Sequence, residues 1–313
     1  MLTRSQPLLF AGSSHPQLAE EIALHLGINL GKMLLGQFPD GETSVQILES
    51  VRGQDVFIVQ SVALDPNFYL MELLIIIDAV RRASARTIAA VIPYYGYCRQ
   101  DRKDKPRVPI TAKLIANLLV EAGANRILTV DLHAGQLQGF FDIPVDHLHS
   151  RSAMIREIRK AGLGDCVVVA PDIGSVKIAR EYASLLGLDL AVVEKKRLSA
   201  TDVCDVTVIG DVKGKNVLLA DDMCSTGATL VSAAKACQEK GAQRAYGVVT
   251  HGLCVDGAVQ LIENSTLEAV WMSNTIPETD RFKDATKFKT ISIAPLLAHA
   301  IHCIIADESI SSL

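Results

Sequence analysis

The stretch that decides the fold is NVLLADDMCSTGATLVSAAKAC, Asn216–Cys237. Its first five residues read as a buried strand that ends on Asp221 and Asp222. Small and hydroxylated residues follow, and a helical pattern begins at Ala228. RAYGVVTHG, Arg244–Gly252, then supplies a second strand. A strand, a tight turn, a helix and another strand in succession make a βαβ unit, whose strands run parallel.

The same rhythm extends in both directions. Upstream lie the strand CVVVAPD (166–172), the helix VKIAREYASLLG (176–187) and the strand LDLAVVEKK (188–196). Near the start, PLLFAGSS (7–14) reads as a strand; Ser14 is expected to cap a helix carrying Pro16 in its first turn and Leu18, Ile22 and Leu26 on one stripe. DVFIVQS (55–61), TIAAVIPYY (87–95) and RILTVDLH (126–133) are strands, separated by helices over 68–84 and 110–124, the second ending at Gly123. The class is α/β, with mainly parallel sheets covered by helices on both faces. VRGQDVFIVQS (51–61) faintly repeats as VKGKNVLLADD (212–222), and each is followed by a helix and a strand. The expected organisation is two similar domains, 1–149 and 150–313, with the last helix packing back on the first.

Composition narrows the function. The chain has 313 residues, 49% of them hydrophobic, enough for a core without metal or disulfide support. A net charge of -4 offers no basic field for nucleic acid. Seven cysteines at irregular spacing, without a CxxC pair, read as reduced thiols and a cytoplasmic setting. The opening MLTRSQPLLFAGSSHP has too short an apolar run for a signal sequence, and LMELLIII is interrupted well short of a membrane span, so no membrane partner is expected.

The chemistry gathers at strand ends, where open α/β sheets bind ligands. After Asp221 and Asp222, the turn Ser225, Thr226, Gly227, Ala228, Thr229 can wrap a phosphate at a helix N-terminus. Carboxylates beside a phosphate make sense as acceptors for sugar hydroxyls, so a phosphorylated sugar is the ligand this turn implies. An ordinary Asp-capped turn is the plainer alternative. GDVKGKN resembles a phosphate-binding P-loop but precedes a strand, not a helix, and is rejected. YYGYCRQDRKDKPRVPITAK concentrates Arg99, Arg102, Lys103, Lys105, Arg107 and Lys113 on an acidic chain, which points to a polyanion or an interface. Its Asp101 could hold an arginine in place. Asp131 and His133 in DLHAGQLQGFFD, Asp172 in PDIGS and the run EKKR, Glu194–Arg197, also stand at strand ends. QFPDGETSVQI carries Phe38, Asp40 and Glu42 on a turn, where an aromatic beside carboxylates could clamp adenine.

FPDGE, RQDRK with RVPITAK, DLHAGQLQGFFDIPVDHL, PDIGS, EKKR and DDMCSTGAT, in that order over nearly the whole chain, resemble the ribose-phosphate diphosphokinase (phosphoribosyl pyrophosphate synthetase) family. The resemblance implies two domains of type I phosphoribosyltransferase fold. It also implies transfer of the diphosphoryl group of MgATP to the C1 hydroxyl of ribose 5-phosphate, for nucleotide biosynthesis. It assigns the ribose hydroxyls to Asp221 and Asp222, and the 5-phosphate to Ser225, Thr226, Gly227, Ala228 and Thr229. ATP falls to Phe38, Asp40, Glu42, Arg99, Gln100, Asp101 and His133, and Mg²⁺ to His133 and Asp172. Lys195 and Arg197 become the catalytic cations, acting from a mobile loop. An allosteric phosphate site would use Ser50, Arg52, Ser84, Arg107, Ser309 and Ser311. The FPDGE turn is expected to reach a neighbouring subunit's nucleotide, within a homohexamer.

Several residues depart from the family pattern. Ser225 stands where Asp is usual, Ala228 where Gly is usual, and Ser175 where PDIGS would have a second glycine. The ending SISSL is short. The Cβ of Ala228 is expected to obstruct a conformation open to glycine. The rival functions are a nucleobase phosphoribosyltransferase, which would not need FPDGE or RQDRK, and a non-catalytic regulatory subunit, which would tend to lose Lys195, Arg197, Asp172 or His133.

Overall fold

A computed structural model describes residues 6–196 and 205–310. The chain divides into two compact units. The first takes the described residues up to His149, with Thr275–Pro277 and those from Ile293 on; the second takes Ser150–Asn274 and Glu278–Ser292.

In the first unit, β1 (Leu8–Ala11), α1 (Pro16–Leu26), β2 (Met33–Gln37), β3 (Thr43–Ile47), β4 (Asp55–Val59), α2 (Pro66–Arg82), β5 (Thr87–Ile92), α3 (Thr111–Ala122), β6 (Arg126–Val130) and β7 (Val145–Leu148) follow in order. In the second come α4 (Arg151–Ala161), β8 (Cys166–Ala170), α5 (Val176–Leu186), β9 (Leu190–Lys196), β10 (Asp205–Ile209), β11 (Asn216–Cys224), α6 (Ala228–Glu239), β12 (Ala245–Gly252), α7 (Ala258–Glu263), β13 (Leu267–Ser273) and β14 (Phe288–Ile291). Helix α8 (Ala294–Ala306) returns to the first unit.

The first sheet has the order β1-β4-β5-β6-β7, all parallel. The second has the order β10-β9-β8-β11-β12-β13-β14, parallel except for the β9–β10 pair. In each, one strand is followed by a two-strand excursion and then by four consecutive parallel strands. The excursion is a separate antiparallel hairpin, β2–β3, in the first unit; in the second, β9 and β10 extend the sheet. The faint repeat in the sequence is thus a repeat of topology, with β4 corresponding to β11.

Strands buried on both faces explain the near-continuous apolar runs. In the first unit Leu9, Phe57, Val59, Val91 and Leu128 meet Leu18 and Ile22 of α1 and Leu297 and Ile301 of α8. In the second, Val167, Val169, Val217 and Leu219 meet Leu230, Ala233 and Cys237 of α6, while Val168, Leu218 and Ala220 meet helices α4 and α5 through Met154, Ile158 and Tyr182. One local expectation fails. The cap of α1 is His15, whose Nδ1 accepts the Leu18 N–H at 3.4 Å; Ser14 instead accepts the Ser61 N–H at 2.8 Å, tying β1 to β4.

Candidate active site

The acidic pair does not end its strand. β11 runs through Cys224, which pairs with Gly252 of β12, while pairing to β8 stops at Leu219. Asp221 and Asp222 therefore lie at a lip where one neighbour has fallen away. The turn shortens to Ser225–Gly227. The left-handed residue is Gly227 (φ 76), where a Cβ would come within 3.2 Å of Ile262. Ala228 is the first helical residue of α6, a position that any side chain tolerates, so the expected obstruction falls on its neighbour. No side chain caps α6. Its first N–H groups are left to meet an anion with the positive end of the helix dipole.

The electrostatics of the lip are frustrated. Burial first, then the Asp222 and Asp172 carboxylates, push Asp221 up to about 8. The Asp222 N–H donates to Asp221 Oδ1 at 2.9 Å, which partly offsets this. Asp172 follows β8 and is itself held. The Ser175 N–H donates to its Oδ1 at 3.0 Å, and the Ser175 hydroxyl reaches the same oxygen at 3.1 Å. This buried serine, one of the departures from the family pattern, gives the carboxylate a fixed rotamer that a glycine could not. The three carboxylates concentrate negative charge at this edge of the sheet, and carboxylate oxygens such as those of Asp172 are the hard donors Mg²⁺ prefers.

Lys195 belongs to strand β9, opposite Val206 of β10, not to a loop. Arg197 lies outside the described residues, as does Ser311.

In the first unit, Phe38, Asp40 and Glu42 sit at the tip of the β2–β3 hairpin. The Phe38 N–H donates to Glu42 O and the Gly41 N–H to Phe38 O, both at 2.8 Å, and Phe38 is 53% exposed. An apolar ring held out on a rigid hairpin tip has no role in this unit's core. Arg99, Gln100 and Asp101 follow β5. The Gln100 carbonyl accepts the Ala112 N–H at the start of α3, and its side chain accepts from the Thr111 hydroxyl. Asp101 accepts from Gln136 Nε2 at 2.8 Å, where an arginine partner was expected. His133 is exposed, two residues beyond a left-handed corner at Asp131 (φ 38).

That corner is held by residues the sequence reading passed over. β7 pairs with β6 so that His147 lies opposite Thr129; His147 and His149, two apart, share a face beside Asp131. His149 Nδ1 bonds Asp131 Oδ1 at 2.9 Å, and His147 Nε2 accepts the Leu132 N–H at 2.8 Å. Donor atoms of the three lie within 4.8 Å of one another. The signal was the H-x-H spacing in VDHLHS, legible once that segment is recognised as a strand. Of the residues assigned to an allosteric phosphate, Ser84 receives the Gly53 N–H on its carbonyl at 2.9 Å, which joins it to the turn after Ser50 and Arg52. Arg107 lies on the loop before α3 in a left-handed conformation (φ 64), and Ser309 is exposed.

A doubly repeated α/β unit with a carboxylate lip, a small-residue turn and an uncapped helix defines a phosphoribosyltransferase-type protein. Comparison with known proteins narrows this. Residues 8–123 match the N-terminal domain of ribose phosphate pyrophosphokinase and residues 196–313 the phosphoribosyl synthetase-associated domain. The ribose-phosphate pyrophosphokinase of Clostridium perfringens is 51% identical over 97% of this chain and 96% of its own, and that of Wolinella succinogenes 48% over 97% and 98%. The crystal structure of phosphoribosylpyrophosphate synthetase from Mycobacterium smegmatis superposes with a TM-score of 0.92 at 41% identity, covering 97% of this chain and all of that one. The chain belongs to the ribose-phosphate pyrophosphokinase family. Among the described residues no helix is long and apolar enough to cross a membrane.

Proposed function

We propose that this chain transfers the diphosphoryl group of MgATP to the C1 hydroxyl of ribose 5-phosphate, releasing AMP and 5-phosphoribosyl 1-diphosphate for nucleotide biosynthesis in the cytoplasm. The observation that carries this is Asp221 and Asp222 on the part of β11 that runs past its pairing with β8, just ahead of the turn that leads to the uncapped N-terminus of α6. The carboxylates accept hydrogen bonds from the ribose hydroxyls. Ser225 to Thr229 receive the 5-phosphate through backbone N–H groups and hydroxyls. This divides the sugar into a charged end and a hydroxylated edge, and fixes which way C1 faces.

Transfer of this kind depends on in-line positioning and charge stabilisation more than on covalent help. Lys195 and Arg197 supply cations for the negative charge that spreads over the transferring group. Phe38 stacks on adenine while Asp40 and Glu42 face its polar edge, and Arg99, Gln100 and Asp101 orient the nucleotide. His133 and Asp172 are the contacts for Mg²⁺, which when bound neutralises the phosphate oxygens of ATP. The bonds from Ser175 keep Asp172 turned for that task. Because Phe38 projects from a hairpin tip, it serves the nucleotide of a neighbouring subunit in a homohexamer.

Incubating the purified chain with MgATP and ribose 5-phosphate, and following AMP and the new diphosphate by phosphorus NMR, tests this. Both products are expected in equal amounts. ADP in place of AMP, or no product without an added nucleobase, would count against it.

A further inference from the structure

Two buried thiols flank the sugar-phosphate turn from opposite sides. Cys224 ends β11 immediately before Ser225, and Cys254 lies in the loop between β12 and α7; they are 3% and 1% exposed. Their backbones are laced together: the Cys254 N–H donates to Cys224 O and the Val255 N–H to Ser225 O, both at 2.9 Å. A direct backbone hydrogen bond keeps the two residues close, and a disulfide needs their Cα atoms about 4.4–6.8 Å apart. The two thiols also act on each other, their interaction raising Cys224 and lowering Cys254. That interaction, with the nearby Arg281 guanidinium, outweighs burial and draws Cys254 down from the ordinary thiol value. Arg281 also donates to Cys254 O at 2.9 Å, so the cation is fixed there. The remaining buried cysteines, such as Cys166 and Cys237, are pushed up to about 11 and about 12 by burial and are inert by comparison.

We infer that Cys224 and Cys254 form a dithiol–disulfide couple that peroxide closes, weakening ribose 5-phosphate binding at the adjacent turn. The effect on the sugar rests on the function proposed above; the bond itself does not. The Cys254 thiolate attacks one peroxide oxygen, the O–O bond breaks, and hydroxide leaves a sulfenic acid. The Cys224 sulfur then attacks the Cys254 sulfur, the S–S bond forms, and the sulfenic oxygen departs as water with the Cys224 proton. Two electrons pass from the sulfurs to the peroxide, and two thiols with one hydrogen peroxide give one disulfide and two waters. Bringing the two sulfurs to about 2.05 Å of each other shifts Cys224, and with it Ser225, the first residue of the turn.

The test treats the full chain with graded hydrogen peroxide, maps its peptides by mass spectrometry without reduction, and measures the Michaelis constants. A Cys224–Cys254 cross-link is expected that dithiothreitol reverses. In the oxidised protein the constant for ribose 5-phosphate should rise about tenfold, the equivalent of one lost hydrogen bond to a charged group, and that for ATP should stay unchanged. Cys254→Ser should keep basal activity and lose the response. Sulfinic or sulfonic acids without a cross-link, or an equal response in Cys254→Ser, would overturn the inference. A cross-link in a chain that never makes AMP would leave the couple standing and remove the proposed function instead.

Discussion

Asp221→Asn should make the protein more stable at alkaline pH while it damages the site. The substitution keeps the shape of the side chain and its carbonyl oxygen, so the Asp222 N–H keeps its acceptor. It removes only a charge that burial and two neighbouring carboxylates oppose. In the native state Asp221 holds its proton up to about 8, against 3.8 for the ordinary group. The native state therefore binds more protons than the unfolded chain across that window, and wild-type stability falls as pH rises from about 4 to 8. About four pH units at about 1.36 kcal/mol each set a ceiling of about 5 kcal/mol. Sharing of the proton with Asp222 and relaxation at a partly exposed lip reduce that to a few kcal/mol. For a unit of this size each kcal/mol moves the melting temperature by about 3 °C. Thermal melts of both proteins, free of Mg²⁺ and substrate, should show the variant melting several degrees higher at pH 8.5, with the gap closing towards pH 5. Assayed above pH 8, where the wild-type carboxylate is ionised, the same variant should raise the Michaelis constant for ribose 5-phosphate about ten- to a hundredfold, since it loses a charged acceptor. A gap that does not change with pH, or a variant less stable than wild type at pH 8.5, would refute the electrostatic reasoning.

Four further outcomes follow from the same picture. Lys195→Ala should lower turnover about 10²–10³-fold with little change in substrate binding; a change confined to the ATP constant would remove its assigned role. Gly227→Ala should weaken ribose 5-phosphate more than Ala228→Gly does, because the left-handed residue and the contact with Ile262 are both at 227; initial rates over a ribose 5-phosphate series give the comparison. Sedimentation should show a closed assembly, and Phe38→Ala should raise the ATP constant without dissociating it; a monomer of full activity would contradict this. Titrating inorganic phosphate should raise activity if Ser50, Arg52, Ser84 and Arg107 form an anion site, whereas a flat response would show that control has been lost.

The βαβ rhythm was legible because buried parallel strands write continuous apolar runs, and thirteen of the regular elements follow from such runs and their caps. The hairpin β2–β3 was not, because MLLGQ and TSVQI are short and half-exposed, and FPDGE reads equally as an isolated turn. β7 escaped for a related reason: VDHLHS carries only one fully buried apolar residue on its strand, so its two histidines could not be placed on one face. At the site, spacing identified the strand-end residues but could not tell where the strand itself stops. Pairing of β11 with β12 carries it two residues past the carboxylates, and that moved the demand for glycine from 228 to 227. The bonds from Ser175 to Asp172 were beyond reach, since a departure from a family pattern does not say what the new hydroxyl will touch.

Helix α8 has a consequence for how the molecule is made. It covers the face of the first sheet that α1 also covers, yet it is translated after the whole of the second unit. On the ribosome, the first unit waits with Leu9, Phe57, Val91 and Leu128 lacking the Leu297 and Ile301 side chains that finally shield them, while the second unit has its strands complete by Ile291. The nascent chain thus carries its oldest sheet half-covered for longest, and the segment most exposed to misassembly and to chaperones is the one synthesised first.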